Sequence, residues 1–289
     1  MENITQRLNG WGEPLLASPL SDHRDYQATI RRFESGSAEV STHCIQHMNR
    51  MSQSRRWMSH DPVKLGVKEL TEEQLARKKE ENVQRSLRET KKGVRYLCKQ
   101  IGADHMVTFS YRENMIDLSC LKRNWKAFAR LVHARYPDWK YVAVHEYQDR
   151  GALHLHVAVK GYQDIKYLRR CWYIALGSSP ESIGDAAPGA VNVRGPSCRW
   201  GSKPMQWKTD KLSGYLTKYM SKTFAISEAN AKRYWASKGV KPPEVVKYWL
   251  GSTNFSDAVG ETYRLLVKES GQVDVMWCSD SWQAIWMSG

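Results

Sequence analysis

No window of the chain approaches the run of about 18 apolar residues that a membrane-spanning helix requires, so a transmembrane reading is excluded. The opening stretch, MENITQRLNG, has no apolar core, and no signal peptide is expected there. Six cysteines occur, at Cys44, Cys98, Cys120, Cys171, Cys198 and Cys278, and none forms a C-x-x-C pair. A zinc ribbon is therefore excluded, and the thiols read as reduced in a cytosol. Phenylalanine is scarce, at 5 residues, whereas tryptophan (12) and tyrosine (14) are plentiful. No internal repeat is present. Acid is also in short supply: 30 Asp+Glu face 44 Lys+Arg, a net charge of +14. Such a balance favours a polyanionic partner, because phosphate neutralisation releases counterions. Nucleic acid is the first expectation and an anionic membrane surface the second. The tryptophans and tyrosines add stacking groups of the kind single strands exploit.

At 289 residues and 41% hydrophobic composition, the chain can bury a core as one large domain or two small ones. Residues 1–60 are polar, Ser- and Arg-rich and weakly periodic, and read as an extended or loosely ordered arm. Residues 70–100 read as a helix capped by Thr71, acidic at its start and then basic through Arg77, Lys78, Lys79, Arg85, Arg88, Lys91, Lys92, Arg95 and Lys99. That basic face is either a solvated surface or a DNA-backbone contact. Strands are expected at 105–113, 140–148 and 152–160 and over AVNVRG. Helices are expected at 118–136, 164–176 and 208–225, with Gly102 and Pro137 as stops. This β-α-β-β-α-β-α order indicates an α+β fold with a central antiparallel sheet flanked by helices. Beyond 226 the pattern reads as a helix near EANAKRYWASKG and a late strand at ETYRLLV.

Two stretches carry chemistry. In GALHLHVAVKG (151–161), His154 and His156 share one strand face, while Leu153, Leu155, Val157 and Val159 share the other. An H-x-H pair alone is also what a hydrogen-bonded core histidine beside a half-exposed one looks like. A third donor makes the difference. Asp149-Arg150-Gly151 suits a three-residue hairpin loop with glycine in the left-handed conformation. That loop pairs Gln148 with Ala152, setting Glu146 opposite His154 and Val144 opposite His156. A two-residue loop would reverse the parity and offer His145 instead. Glu146, His154 and His156 together suit a divalent metal, Mg²⁺ or Mn²⁺ for phosphate chemistry, although the same donors could hold Zn²⁺.

In GYLTKYMSK (214–222), helical spacing gathers Leu212, Leu216, Met220 and Phe224 on one stripe and Tyr215, Lys218, Tyr219 and Lys222 on the next. An ordinary amphipathic helix with snorkelling Lys and Tyr has this pattern too. The two phenols lie about 5–6 Å apart at Cβ. A free phenol has a pKa near 10 and is a weak nucleophile until a cation favours the phenolate. Arg194, Arg199, Trp200, Lys203, Trp207, Lys208 and Lys211 are candidates for holding a DNA strand nearby; each could equally be an ordinary surface or core residue.

Three motifs occur in order: VTFSY (107–111), HEYQDRGALHLHVAV (145–159) and GYLTKYMSK. In this the chain resembles the HUH endonucleases, and among them the two-tyrosine rolling-circle replication initiators of small single-stranded DNA bacteriophages. KRYWASKG (232–239) adds a weaker similarity to the filamentous-phage type. The resemblance covers roughly residues 100–240; residues 1–100 match no motif.

The resemblance implies a nicking fold of ferredoxin/RRM-like topology. It implies metal held by Glu146, His154 and His156, and Tyr215 or Tyr219 joined covalently to a DNA 5′-phosphate with Lys218 assisting. It also implies that Lys222 joins the DNA contacts, and that a 3′-OH is left as primer. It leaves open which tyrosine acts first. The expected partners are single-stranded or hairpin origin DNA and, since the chain is too short for an attached helicase, a host helicase and polymerase. The expected setting is the cytoplasm of a bacterial host, with a monomer among the possible states. The chain then divides into an N-terminal arm (1–60), a basic helix (61–101), a nicking domain (102–226) and a C-terminal extension packed on the core (227–289). A transposase or plasmid relaxase would share the chemistry, although relaxases tend to carry a third histidine. A non-catalytic nucleic-acid-binding module would explain the charge and aromatics but leave the His/Glu patch and paired tyrosines as coincidence.

Overall fold

A computed structural model describes residues 24–45, 71–195, 209–226 and 233–289, with side chains described up to Met220 in the helix that ends at 226. In chain order the first elements are β1 (Arg24–Arg32), β2 (Ala38–Cys44), α1 (Glu72–Gln100), β3 (His105–Tyr111), α2 (Leu118–Arg135), β4 (Tyr141–Tyr147), β5 (Leu153–Val159) and α3 (Ile165–Ala175). There follow β6 (Gly189–Arg194), α4 (Thr209–Ile226), β7 (Tyr234–Ala236), β8 (Glu244–Thr253), α5 (Phe255–Ser270), β9 (Val275–Cys278) and β10 (Ala284–Ser288). The chain forms two compact units. One comprises Phe33–Ser35 and Leu70–Pro243; the other comprises Met1–Arg32, Gly36–Glu69 and Glu244–Gly289.

The first unit is built on an antiparallel sheet of order β6-β3-β5-β4-β7. With its β-α-β-β-α-β connection, the order β6-β3-β5-β4 is the ferredoxin-like arrangement. Local chemistry starts and stops its helices. Thr71 and Gln74 form a reciprocal capping box on α1, and Gly102, at φ +61°, follows its end. Asp117 and Asp164 cap α2 and α3 through backbone N–H groups.

Strand alternation gives the sheet two apolar faces. Val107, Phe109, Ala143, Leu155 and Val157 pack beneath α2 and α3, against Trp125, Phe128 and Trp172. Met106, Val142, Val144 and Ala158 pack beneath α1 and α4, against Val94, Cys98, Leu212, Leu216 and Met220. The sheet is thus covered by helices on both sides, as an α+β fold with few polar groups in either core.

The second unit is an antiparallel sheet of order β8-β1-β2-β10-β9, with α5 on one face. Three expectations are corrected here. The described part of the 1–60 arm is a paired hairpin, β1 and β2, because Tyr26, Ala28, Ile30 and Val40 alternate into a core. Residues from Glu244 onward build this separate sheet, so they are not an extension on the 102–226 core. ETYRLLV lies in helix α5, started by Asn254 and ended by Gly271; its buried Phe255, Ala258, Thr262 and Leu266 follow the helical period, not the strand one. The described end of EANAKRYWASKG is likewise strand β7, recruited by pairing with β4.

Charge is divided unevenly between the units. The first holds 32 Lys+Arg against 17 Asp+Glu, the second 12 against 13, so the whole excess of positive charge lies in the first. Cys44, Cys98, Cys120, Cys171 and Cys278 are free thiols; Cys198 lies outside the described residues. Among the described residues no helix is long and apolar enough to cross a membrane.

Candidate active site

The β4–β5 hairpin sets the site. Its loop is Asp149-Arg150-Gly151, closed by Gln148 N–H donating to Ala152 O (2.9 Å) and Gly151 N–H donating to Gln148 O (2.8 Å). Gly151 takes φ +83°, the left-handed conformation that a side chain resists. The resulting register pairs Glu146 with His154 and Val144 with His156. Parity then sends His145 to the other face, where it is buried and stacked on Trp235 (centroids 5.4 Å, 26°). Burial, with Lys122 and Arg233 adding, pushes the His145 pKa down to about 4. The three-residue loop, not the two-residue one, is the one observed.

Glu146 and His156 are both buried, and Glu146 Oε2 lies 3.0 Å from His156 Nε2. Thr108, in β3 and cross-strand from His156, places Oγ1 3.2 Å from Nδ1. Burial pushes His156 down to about 4, so the ring is neutral at pH 7. A carboxylate only accepts; the neutral ring therefore donates Nε2–H to Glu146 and accepts the Thr108 hydroxyl at Nδ1. His154 is half-buried, 6.3 Å from His156 between ring centroids; burial first, then His156, lowers its pKa, with Glu146 opposing.

Among the described residues no group of three or more His, Cys, Asp or Glu is close-set enough, as placed, to hold a metal ion. The donors nevertheless suit one. Neighbouring ligands at about 2.1 Å on an octahedral cation stand about 3 Å apart, which is the Glu146–His156 separation of 3.0 Å. The Thr108 hydroxyl can turn from donor to acceptor, which would free the Nε2 lone pair. His154 is the third donor that the register supplies.

Helix α4 lies over this patch. Leu212, Leu216 and Met220 are fully buried and anchor it. Its first turn is tied to α1: Lys99 Nζ is 3.0 Å from Asp210 and Arg95 is 3.7 Å from it. Lys99, read above as part of a basic outer face, is thus buried and ion-paired. The anchored stripe brings Tyr219 flat onto His156, with centroids 3.8 Å apart and planes 8° from parallel. Tyr215 meets Tyr219 edge-on at 5.2 Å. Burial, then the hydrogen bond and charge of Tyr215 and the charge of Glu146, hold the Tyr219 phenol well above its usual range; Arg194 opposes this.

The remaining site residues divide by place. Arg194, Lys211 and Lys218 are exposed in the same unit as the patch. Lys222 lies in α4, but its side chain, like that of Phe224, is outside what the structure describes. Arg199, Trp200, Lys203, Trp207 and Lys208 lie outside the described residues. Thr108 is the site residue that pattern reasoning missed; only its place in VTFSY, on a strand next to the site, hinted at it.

The arrangement puts a phenol, a neutral imidazole and a carboxylate in contact on one basic unit. A comparison with curated proteins and one with solved structures found no significant match. Residues 104–224, from the start of β3 into α4, match the family model described as replication-associated protein ORF2, in keeping with the resemblance carried by the three motifs.

Proposed function

We propose that this chain initiates rolling-circle replication by nicking single-stranded origin DNA through a tyrosine and later rejoining the strand. The observation that carries the reading is Tyr219 lying flat on His156 while His156 is bonded to Glu146. Unrelated core packing has no need of a phenol over a buried His–Glu pair.

In the proposed step the tyrosine Oη–P bond forms and the P–O3′ bond breaks in line. The phenol gives up its proton, and the departing 3′ oxygen takes one up to become the primer 3′-OH. The protein is left joined to the 5′-phosphate, and the phosphotyrosine keeps the energy for rejoining, so no nucleotide cofactor is consumed. Two phenols four residues apart allow a second transfer without release of the DNA. Glu146, His154 and His156 would hold Mg²⁺ or Mn²⁺, which supplies charge stabilisation at the scissile phosphate. The chain's own residues do the rest. Burial keeps both histidines neutral and able to donate lone pairs. Thr108 orients the His156 ring. The α4 anchor positions the phenols, and Arg194, Lys211, Lys218 and Lys222 attract the strand. Origin DNA, single-stranded or extruded as a hairpin, is the substrate, and a host helicase and polymerase would extend the primer in a bacterial cytoplasm.

The test is incubation of a labelled single-stranded origin-type oligonucleotide with Mn²⁺, scored for a denaturation-resistant adduct. Wild type is expected to form one. Tyr215→Phe and Tyr219→Phe singly should reduce it, and together abolish it, as should a chelator. An adduct that survives in the double variant refutes the tyrosine assignment. A chain that binds DNA but never forms an adduct is a binding module, and the proposal then fails.

A further inference from the structure

The helical face on the other side of the sheet from the tyrosines has an unusual charge pattern. Helices α2 (18 residues) and α3 (11 residues) contain no Asp or Glu in either span. Their acidic residues, Asp117 and Asp164, stand outside as caps. Lys122, Lys126 and Arg130 recur at i, i+4, i+8, with Arg123 beside them, and Lys166 and Arg169 fall one turn apart on α3. All six are exposed, and none makes an ion pair among the described residues. Arg170 pairs with Glu181 at 3.2 Å, and Arg135 lies over the Tyr167 ring at 4.5 Å, so these two are engaged. The two helices are packed together: Tyr167 Oη donates to Leu131 O at 3.0 Å across them. Contrast α1, where cations are interleaved with Glu and pair with it, as Arg77 does with Glu81. Six uncompensated cations on one surface repel one another and are stabilised by a polyanion.

We infer that the α2–α3 face is a second nucleic-acid surface, one that grips the phosphate backbone of duplex DNA while the opposite face of the same sheet handles the single strand. Cations dominate the patch and exposed rings are few beside it, Tyr162 being the most exposed. Single-strand sites depend on stacking platforms, whereas backbone contacts to duplex need only positioned cations. The surface reads no base, so its affinity is independent of sequence and steeply dependent on salt. It would hold the duplex flanking an origin and raise the local concentration of the strand at the tyrosines.

The experiment uses the full chain, a chelator to prevent cleavage, and a fluorescent random-sequence 24-base-pair duplex titrated at several salt concentrations. In the variant Lys126→Gln, Arg130→Gln, Lys166→Gln, Arg169→Gln, the slope of log affinity against log salt should become shallower by about 3 to 4 if each cation meets a phosphate. Duplex affinity should fall at least tenfold. A charge-preserving variant with Lys and Arg exchanged at the four positions should bind as wild type does; all substitutions are on exposed positions, and a melting curve checks the fold. Unchanged duplex affinity and slope in the glutamine variant overturn the inference. So does a variant that loses binding to phosphatidylserine vesicles while keeping duplex binding, which makes the face a lipid surface. Adduct formation on a short single-stranded oligonucleotide should be unaffected. The two proposals therefore fail separately: absent adducts with patch-dependent duplex binding sink only the nickase.

Discussion

Replacing Gly151 with alanine tests the turn that gathers the site. Gly151 sits at φ +83° in the loop that sets Glu146 opposite His154. A Cβ built there meets only Ile116 Cγ2, at 4.0 Å, an ordinary contact. Steric clash with neighbours therefore contributes nothing, and the cost is that of holding an alanine in the left-handed region, about 1–2 kcal/mol. Were the glycine in an ordinary conformation, the same change would stabilise the protein by about 0.4–1 kcal/mol through the unfolded chain. The two cases differ in sign, so the measurement discriminates. Urea titration, read by hydrogen exchange at the β4 and β5 amides so that this unit is followed, should show Gly151→Ala destabilised by that amount. Gly151→Asn should be milder, since asparagine tolerates the left-handed region better. A neutral or stabilising Gly151→Ala refutes the left-handed turn, and with it the reason for placing Glu146 beside the histidines.

Leu216→Ala should cost about 2–5 kcal/mol in unfolding free energy, because a fully buried leucine anchors the tyrosine helix; adduct yield should fall with it at temperatures where the fold persists. Acid should destabilise the chain: His145 and His156 are held near pKa 4, below the unfolded value of about 6.5, so the folded state binds fewer protons between these limits. Stability is complete above about pH 6.5 and is lost as pH falls toward 4, by about 2 kcal/mol for each ring at pH 5. Chelator-treated protein unfolded by urea at pH 7 and pH 5 measures this, and His145→Gln should remove about half of the difference. Thr108→Val should cost about 1 kcal/mol of stability or less but cut adduct formation more than tenfold, because the His156 ring loses the bond that orients it; equal adduct rates would show that Thr108 positions nothing.

Much of the first unit was legible because its signals are local. The caps at Thr71 and Asp164, the stops at Gly102 and Pro137, and the strand alternation of LHLHVAV each depend on neighbours within a few residues. The glycine of Asp149-Arg150-Gly151 extended that reach to a cross-strand pair, so Glu146 could be placed opposite His154 from sequence. The second unit was misread because its signals are not local. Tyr26, Ala28 and Ile30 become a strand by pairing with partners as distant as Val246 and Tyr248, and ETYRLLV, rich in β-formers, is a helix because its buried stripe meets a sheet.

The sequence by itself determined the elements of the nicking unit, the parity that puts one carboxylate and two imidazoles on a common face, and the stripe that makes one side of α4 apolar and the other phenolic. These follow from backbone periodicity and turn chemistry, which act over short spans. Only the tertiary structure decided that Tyr219 lies on His156, that Thr108 holds that ring, that Lys99 is buried against Asp210, and that the excess positive charge belongs to one unit. Those facts depend on which distant surfaces exclude water from each other, and no short-range pattern encodes that.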